Sequence, residues 1–151
     1  MFKASLMFKV HGNNGGENVM EKRYLRRNVD LSLLSERIVQ FFREKGFKTL
    51  RKEEMGVRKI IVRPTHVHEI VERFAVYIFG SSNDFVVRFS AGARSASFVK
   101  FGLLITLFGG GSLFLRGVKS QEALEKLERD FCIYLEEKID FLGNSAKHQE
   151  K

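Results

Sequence analysis

Apolar residues recur at steps of three and four in two stretches of the chain, which is the pattern of a helix with one buried side. The first stretch is Leu31–Lys45, with Asp30 or Ser32 as its predicted N-cap and Gly46 at the predicted C-terminal cap. Its stripe comprises Leu31, Leu34, Ile38, Phe41, Phe42 and the aliphatic stem of Lys45. The pattern predicts a one-sided helix.

The second helical stretch begins near Ser120, the predicted cap, and is predicted to end at Gly143. Its apolar stripe is Leu124, Leu127, Phe131, Leu135, Ile139 and Leu142. Glu122 with Lys126 and Glu125 with Arg129 supply oppositely charged pairs four residues apart. The tail 144–151 is polar and is expected to be flexible.

Apolar and polar residues alternate in the segments between the helices, and short turn-forming sequences separate these segments, as in successive β-strands. The predicted strands are Glu21–Val29, Phe47–Lys52, Val57–Arg63, Glu69–Gly80 and Phe85–Ala91. Short connections imply an antiparallel sheet. We therefore predict an α+β fold with an antiparallel sheet of four to seven strands and two amphipathic helices on one face.

The most apolar part of the chain is the segment 98–115. It has fifteen uncharged residues between Lys100 and Arg116, and Gly109–Gly111 interrupt it near the middle. The segment is compatible with a strand hairpin, a helix or a membrane-inserted element. As a helix the uncharged run would extend about 22 Å, which is shorter than the roughly 30 Å hydrocarbon core of a bilayer.

The order strand–helix–four strands–helix over residues 21–142 resembles one half of the TATA-box-binding protein fold. If the apolar segment adds a hairpin that turns at Gly109–Gly111, the order is similar to the START-like helix-grip fold, with one helix where that fold usually has two. The resemblance concerns topology alone, because no motif is shared. It therefore implies nothing about function.

Residues 1–19 differ from the rest of the chain, because His11–Val19 is a Gly- and Asn-rich run without periodicity. We expect a disordered leader. Codons for Gly15–Glu17 can spell a prokaryotic ribosome-binding signal at a suitable distance before Met20. A start of translation at Met20 is therefore a hypothesis, with a single α+β domain over residues 20–143. N-terminal peptides from the native protein, found by mass spectrometry, would refute it.

The composition is that of a single domain that can fold without disulfide bonds. A chain of 151 residues with 44% apolar residues can bury about 70% of its unfolded surface. Its single cysteine, Cys132, allows no internal disulfide, and it falls beside the apolar stripe, where a buried thiol is expected. No secretory signal is evident, so a cytoplasmic location is expected. The abundance of Lys, Arg and Glu leans towards a thermophile-like composition.

The net charge of +8 is unevenly distributed. Residues 20–119 contain nineteen Lys and Arg against nine Asp and Glu, whereas residues 120–142 contain three against seven. A basic body favours anionic partners such as nucleic acid, phospholipid headgroups or an acidic protein. The alternative is that opposite charges pair within the fold.

No group of residues indicates catalysis, so we predict a protein that is not an enzyme and has no cofactor. The nearest approach to a metal site is His66, His68 and Glu69 after Pro64, since two histidines at this spacing share one side of an extended chain. A zinc or iron site needs further ligands that the sequence does not offer. An exposed loop is therefore the favoured interpretation of this cluster.

The first functional hypothesis assigns binding to the apolar segment. It would contact a membrane surface at the inner face of the membrane, a hydrophobic ligand, or a protein partner including a second copy of the chain. The contact residues would be Phe98, Phe101, Leu103, Leu104, Ile105, Leu107, Phe108, Leu113, Phe114 and Leu115. The anion-binding residues would be Lys22, Arg23, Arg26, Arg27, Lys100, Arg116 and Lys119. Core strands are the structural alternative.

The second hypothesis assigns nucleic-acid binding to a basic sheet surface. Many of the cations fall on strands that should be neighbours, namely Lys22, Arg23, Arg26, Arg27, Arg51, Lys52, Arg58, Lys59 and Arg63. Tyr24 and Tyr77 could stack on bases if they are exposed. The chain has no recognised reader motif for nucleic acid.

Overall fold

The structure is a computed structural model, and it describes residues 5–11, 18–70, 72–91 and 118–149. Its elements follow one another as two strands, a helix, four strands and a long helix. Their bounds are β1 Ser5–His11, β2 Asn18–Leu25, α1 Leu31–Glu44, β3 Lys48–Glu54, β4 Val57–Arg63, β5 Phe74–Ser81, β6 Asp84–Ala91 and α2 Val118–Gln149. The predicted order strand–helix–four strands–helix is confirmed from β2 onwards.

The six strands form one antiparallel sheet in the order β1-β2-β6-β5-β4-β3. Tight hairpins join β3 to β4 and β5 to β6. In the strand order, β3 lies at one edge of the described sheet and β1 lies at the other. β2 precedes α1 in sequence but pairs with β6 in the sheet. The α+β class and the antiparallel sheet are as predicted.

Both helices cover the same face of this sheet, as the periodicity predicts. The stripe of α1 packs with that of α2 and with alternate residues of β2, β4, β5 and β6 in a single hydrophobic core. Phe131 of α2 joins the layers, because its ring centroid lies 5.4 Å from that of Phe42 in α1 and 5.9 Å from that of Phe89 in β6. We call the opposite face of the sheet, which neither helix covers, the far face.

Local sequence signals set the ends of α1. The Asp30 carboxylate accepts hydrogen bonds from the backbone N–H groups of Ser32 and Leu33 at 2.8 and 3.1 Å. At the other end Gly46 has φ +84, and Phe47 N–H donates to the Phe42 carbonyl at 3.0 Å. These contacts form the left-handed C-terminal cap that the glycine predicts.

The structure corrects the expectation of a disordered leader for Ser5–His11, which form β1, and for Asn18 and Val19, which belong to β2. β1 pairs with β2 over seven positions. Leu6, Phe8 and Val10 place an apolar residue at every second position, a strand pattern that the Gly- and Asn-rich run after it obscures. The hypothesis of a start at Met20 stays a prediction.

The second helix is longer than predicted, because Gly143 lies inside α2 and residues 144–149 continue it. The role of Gly143 is close packing. A Cβ atom at this position would lie 2.5 Å from the Arg27 carbonyl oxygen in the link between β2 and α1. The small residue therefore lets the helix approach that link, and it does not end the helix.

Replacing Gly143 with alanine is expected to lower the free energy of unfolding by about 1–3 kcal/mol, because the methyl group forces α2 away from Arg27. Helix propensity alone would give a gain of about 1 kcal/mol. Urea unfolding of Gly143→Ala measures which effect prevails. Asn144→Ala, an exposed change on the next residue, supplies the propensity gain without the clash. A stabilised Gly143→Ala protein would contradict the packing role.

Candidate functional site

The far face displays its residues in cross-strand rows that the register defines. One row is mainly apolar and contains Leu50, Ile61, Ala75, Ser90 and Val19. The adjacent row contains Lys52, Lys59, Tyr77, Arg88 and Glu21. Charged and aromatic side chains thus lie beside an apolar strip on one surface, and the cations are concentrated towards β3 and β4.

Four cations on β3 and β4 form what we call the basic corner: Lys48, Lys52, Lys59 and Arg63. Lys48 lies directly opposite Arg63, and Lys52 lies directly opposite Lys59. Like charges placed directly opposite in a sheet are destabilising. Among the described residues, no carboxylate lies within 4.0 Å of Lys48, Lys52 or Arg63.

Both burial and the neighbouring positive charges affect the ammonium group of Lys59. Burial lowers the pKa of its ammonium group, and the positive charges of Lys52 and Arg73 lower it further. Glu54 opposes these effects but does not cancel them. Positive charges near an ammonium group oppose its protonation, so Lys52 and Arg73 act on Lys59 in the same direction as burial.

The turn between β3 and β4 sets this arrangement. Met55 and Gly56 have φ +52 and +76, and they form the two-residue connection between Glu54 and its partner Val57. Positive φ at both central residues belongs to a type I′ turn, which fixes hairpin register. The sequence predicts strands at Phe47–Lys52 and Val57–Arg63 with a short connection between them, but it does not predict the register that brings like charges opposite one another.

Several cations predicted to bind anions are instead in ion pairs within the fold. Glu136 and Asp140 of α2 pair with Lys22 at 2.8 Å and with Arg27 at 2.6 Å. Arg23 on the far face pairs with Asp84 at 2.6 Å. The acidic final helix thus neutralises part of the basic body, which is the internal pairing that the charge distribution left open.

The remaining residues predicted to bind anions differ in how much of each the structure describes. Arg26 is exposed, and its N–H group donates to the Asn83 carbonyl at 2.7 Å. Lys119 lies in the first turn of α2, where the backbone alone is described. Lys100 and Arg116 lie outside the described residues, as does the apolar segment 98–115 with all ten of its predicted contact residues.

Lys22 and Tyr24 belong to the helix-facing side of β2, together with Met20. Both donate hydrogen bonds to Glu136 Oε1, Lys22 Nζ at 2.8 Å and the Tyr24 hydroxyl at 3.0 Å. Burial raises the pKa of the Tyr24 phenol above its ordinary value, and the Glu136 carboxylate raises it further. The predicted base-stacking role of Tyr24 is therefore incompatible with its position, since its ring is fully buried and stacks on Phe85.

Tyr77 and Phe79 lie two residues apart on β5 and share the far face. The Lys59 Nζ atom lies 5.4 Å from the Tyr77 ring centroid, and the Arg88 guanidinium carbon lies 5.9 Å from the Phe79 ring centroid. Both distances are in the range of cation–π contacts. Sequence reasoning selected Tyr77 but not Phe79, although their alternation in Phe74–Phe79 places both on one face.

In the candidate metal cluster, His68 has a different environment from His66 and Glu69. His68 binds the backbone on both sides: Thr65 N–H donates to Nδ1 at 2.9 Å, and Nε2 lies 2.9 Å from the Lys45 carbonyl oxygen. The ring also stacks on Phe47, with centroids 3.8 Å apart. These contacts tie the loop to the end of α1, whereas His66 and Glu69 are exposed.

Among the described residues, no group of three His, Cys, Asp or Glu side chains could hold a metal ion. Cys132 is partly buried and packs against the core, as expected beside the stripe of α2. Within the same part of the chain, no helix is both long enough and apolar enough to cross a membrane.

Comparisons of the chain with protein-family models, with curated proteins and with solved structures find no match. The function is therefore inferred from the geometry of the far face.

Proposed function

We propose that the protein is a non-enzymatic module that binds the phosphate backbone of a nucleic acid through the basic corner. The observation that supports this proposal is the pair of like-charged cross-strand contacts, Lys48 opposite Arg63 and Lys52 opposite Lys59. Like charges directly opposite one another in a sheet repel, and a bound phosphate between the two cations would convert this repulsion into attraction.

The geometry favours a polymer over a small anion. Lys48 and Lys52 are four residues apart on β3, so the two like-charged pairs are about 13 Å apart along the strands. Such a separation exceeds the reach of one phosphate group, and it suits a ligand that carries several phosphates in succession. Binding to a phosphate backbone releases counterions and is therefore strongly dependent on salt.

The apolar segment 98–115 supports a second candidate, association with an anionic membrane, a hydrophobic ligand or a protein partner. That hypothesis rests on the composition of residues outside the described structure, and it stays a prediction. The two candidates differ in their ligand, so vesicles of anionic phospholipid are the comparison that separates them. Phe101→Asp should abolish vesicle binding if the segment is responsible, and it should leave phosphate contacts at the basic corner intact.

The test of the proposed function reverses one charge in each like-charged pair. The double variant Lys52→Glu/Arg63→Glu should bind an oligonucleotide at least about 10-fold more weakly, with a salt-dependence slope reduced by about 1.4 to 1.8, as expected for two lost phosphate contacts. Its stability should not fall, since each reversal replaces a repulsive cross-strand pair with an attractive one. Fluorescence anisotropy at several salt concentrations and urea unfolding measure the two effects.

The control variant Lys126→Glu/Arg129→Glu changes the net charge by the same amount at two exposed positions of α2. It should retain most of the affinity if the basic corner is the site. Equal losses for the two double variants would show that net charge alone drives binding. Absence of binding by the unaltered protein at low salt, or retention by anionic vesicles alone, would overturn the proposal.

A further inference from the structure

We infer that the protein forms a homodimer in which the β3 strands of two copies pair antiparallel across a twofold axis. This inference goes beyond the proposed function and does not depend on it. Within the described residues β3 pairs with β4 alone, so its other side is a sheet edge. All residues of β3 except Thr49 are exposed, and Leu50 has 45% of its surface open to solvent. Such an edge is a template for a strand from another chain.

The hairpin register determines which backbone groups of β3 face this edge. Glu54 and Val57 flank the two-residue turn and therefore form a hydrogen-bonded pair. Hydrogen-bonded and non-hydrogen-bonded pairs alternate along an antiparallel ladder. The residues that direct their N–H and C=O groups away from β4 are consequently Thr49, Arg51 and Glu53. Arg51 is the central residue of β3, so its two backbone groups can pair with those of Arg51 in a second copy.

The charges of β3 complement one another in this arrangement. Its cations precede its two glutamates along the strand. Antiparallel pairing centred on Arg51 places Lys48 of one copy opposite Glu54 of the other, and the twofold axis repeats this contact. Opposite charges directly across a sheet stabilise the pairing. The same pairing places Leu50 opposite Lys52, whose aliphatic stem can cover it. A parallel pair in the same register would instead place like charges opposite one another, so the sequence favours an antiparallel second copy.

The like-charged contact at the centre, Arg51 opposite Arg51, has compensating carboxylates. Arg51 Nη1 lies 3.6 Å from Glu36 Oε1 of α1 within its own copy. Glu53 of the second copy would be its diagonal neighbour on the same face, within reach of a long side chain. Charged residues on an edge strand can instead prevent pairing. That alternative predicts a monomer, so the oligomeric state distinguishes the two interpretations.

The experiment measures the dimer dissociation constant of the full chain by sedimentation velocity over a series of protein concentrations, without nucleic acid, because Lys48 also belongs to the basic corner. We expect a monomer–dimer equilibrium. Glu54→Lys places like charges opposite one another at two symmetric positions and should raise the dissociation constant about 10-fold or more. Lys48→Glu/Glu54→Lys exchanges the two charges and should restore most of the affinity. The control Glu137→Lys makes the same charge change at an exposed position of α2 and should have no effect.

A second variant, Arg51→Pro, tests the backbone pairing itself. It removes an N–H group that faces the edge and leaves the hydrogen bonds to β4 in place, a position where edge strands accept proline. The variant should be monomeric, with circular dichroism and melting temperature verifying its fold. A monomer at every concentration of the unaltered protein would overturn the inference. A dimer that persists in both Glu54→Lys and Arg51→Pro would also overturn it, and loss of that dimer in Phe101→Asp would assign the contact to the segment 98–115.

Discussion

Truncation of Phe131 to alanine is expected to lower the free energy of unfolding by about 3–5 kcal/mol, the cost of a large cavity in a close-packed core. The side chain is fully buried, and its ring lies between those of Phe42 in α1 and Phe89 in β6. No single neighbour can fill the space, because the surrounding rings belong to different elements. A domain whose free energy of unfolding is about 10 kcal/mol would lose roughly a third to a half of it.

Urea unfolding followed by far-ultraviolet circular dichroism measures this loss. The matched control is Phe141→Ala on the same helix, since Phe141 is 61% exposed. The control should change the free energy of unfolding by about 0.5 kcal/mol or less. Similar losses for Phe131→Ala and Phe141→Ala would show that α2 does not pack as described.

Features encoded by neighbouring residues could be predicted from the sequence. The α1 helix is the clearest case, because Asp30, the apolar stripe and Gly46 act within a few residues of one another and the structure has all three. The hairpin of β3 and β4 could be placed for the same reason. Periodicity and turn chemistry are local properties, so a single sequence suffices to recognise them.

Features that depend on distant residues could not be predicted in this way. Lys22 lies in a basic run and was assigned to anion binding, yet its partner Glu136 is 114 residues away. Alternation along β2 assigns Lys22 and Arg23 to opposite faces, but only the packing of α2 determines which face is covered. The far-face grouping of Tyr77 with the basic corner depends likewise on the register of three strands.

Glycine has two different structural roles in this chain, since Gly46 ends a helix and Gly143 allows close packing. A glycine after an apolar stripe usually marks a helix C-terminus, and Gly46 does so. Gly143 occupies the same place in its stripe, but the Arg27 carbonyl is close enough to exclude a side chain. The sequence around Gly143 contains nothing that reports a backbone group from another part of the fold.

Replacing Glu136 with alanine is expected to cost about 3 kcal/mol, because it leaves the Lys22 ammonium and the Tyr24 hydroxyl without their acceptor at the interface of α2 and β2. The two donors are almost fully buried, at 8% and 0% exposure. Glu136 itself is about one-third exposed, so water can reach part of the site and the loss should lie at the lower end of the range for buried ion pairs.

For a chain of this size the loss corresponds to a melting temperature lower by roughly 6–12 °C. Glu137→Ala is the control, since Glu137 is exposed and pairs with its neighbour Lys138. The double variant Lys22→Met/Glu136→Leu removes the charged donor and the acceptor together. It should recover the part of the loss that comes from the unpaired ammonium group, whereas the Tyr24 hydroxyl still lacks its acceptor. If Glu136→Ala and Glu137→Ala melted at the same temperature, the Glu136 contacts would contribute nothing to the docking of α2.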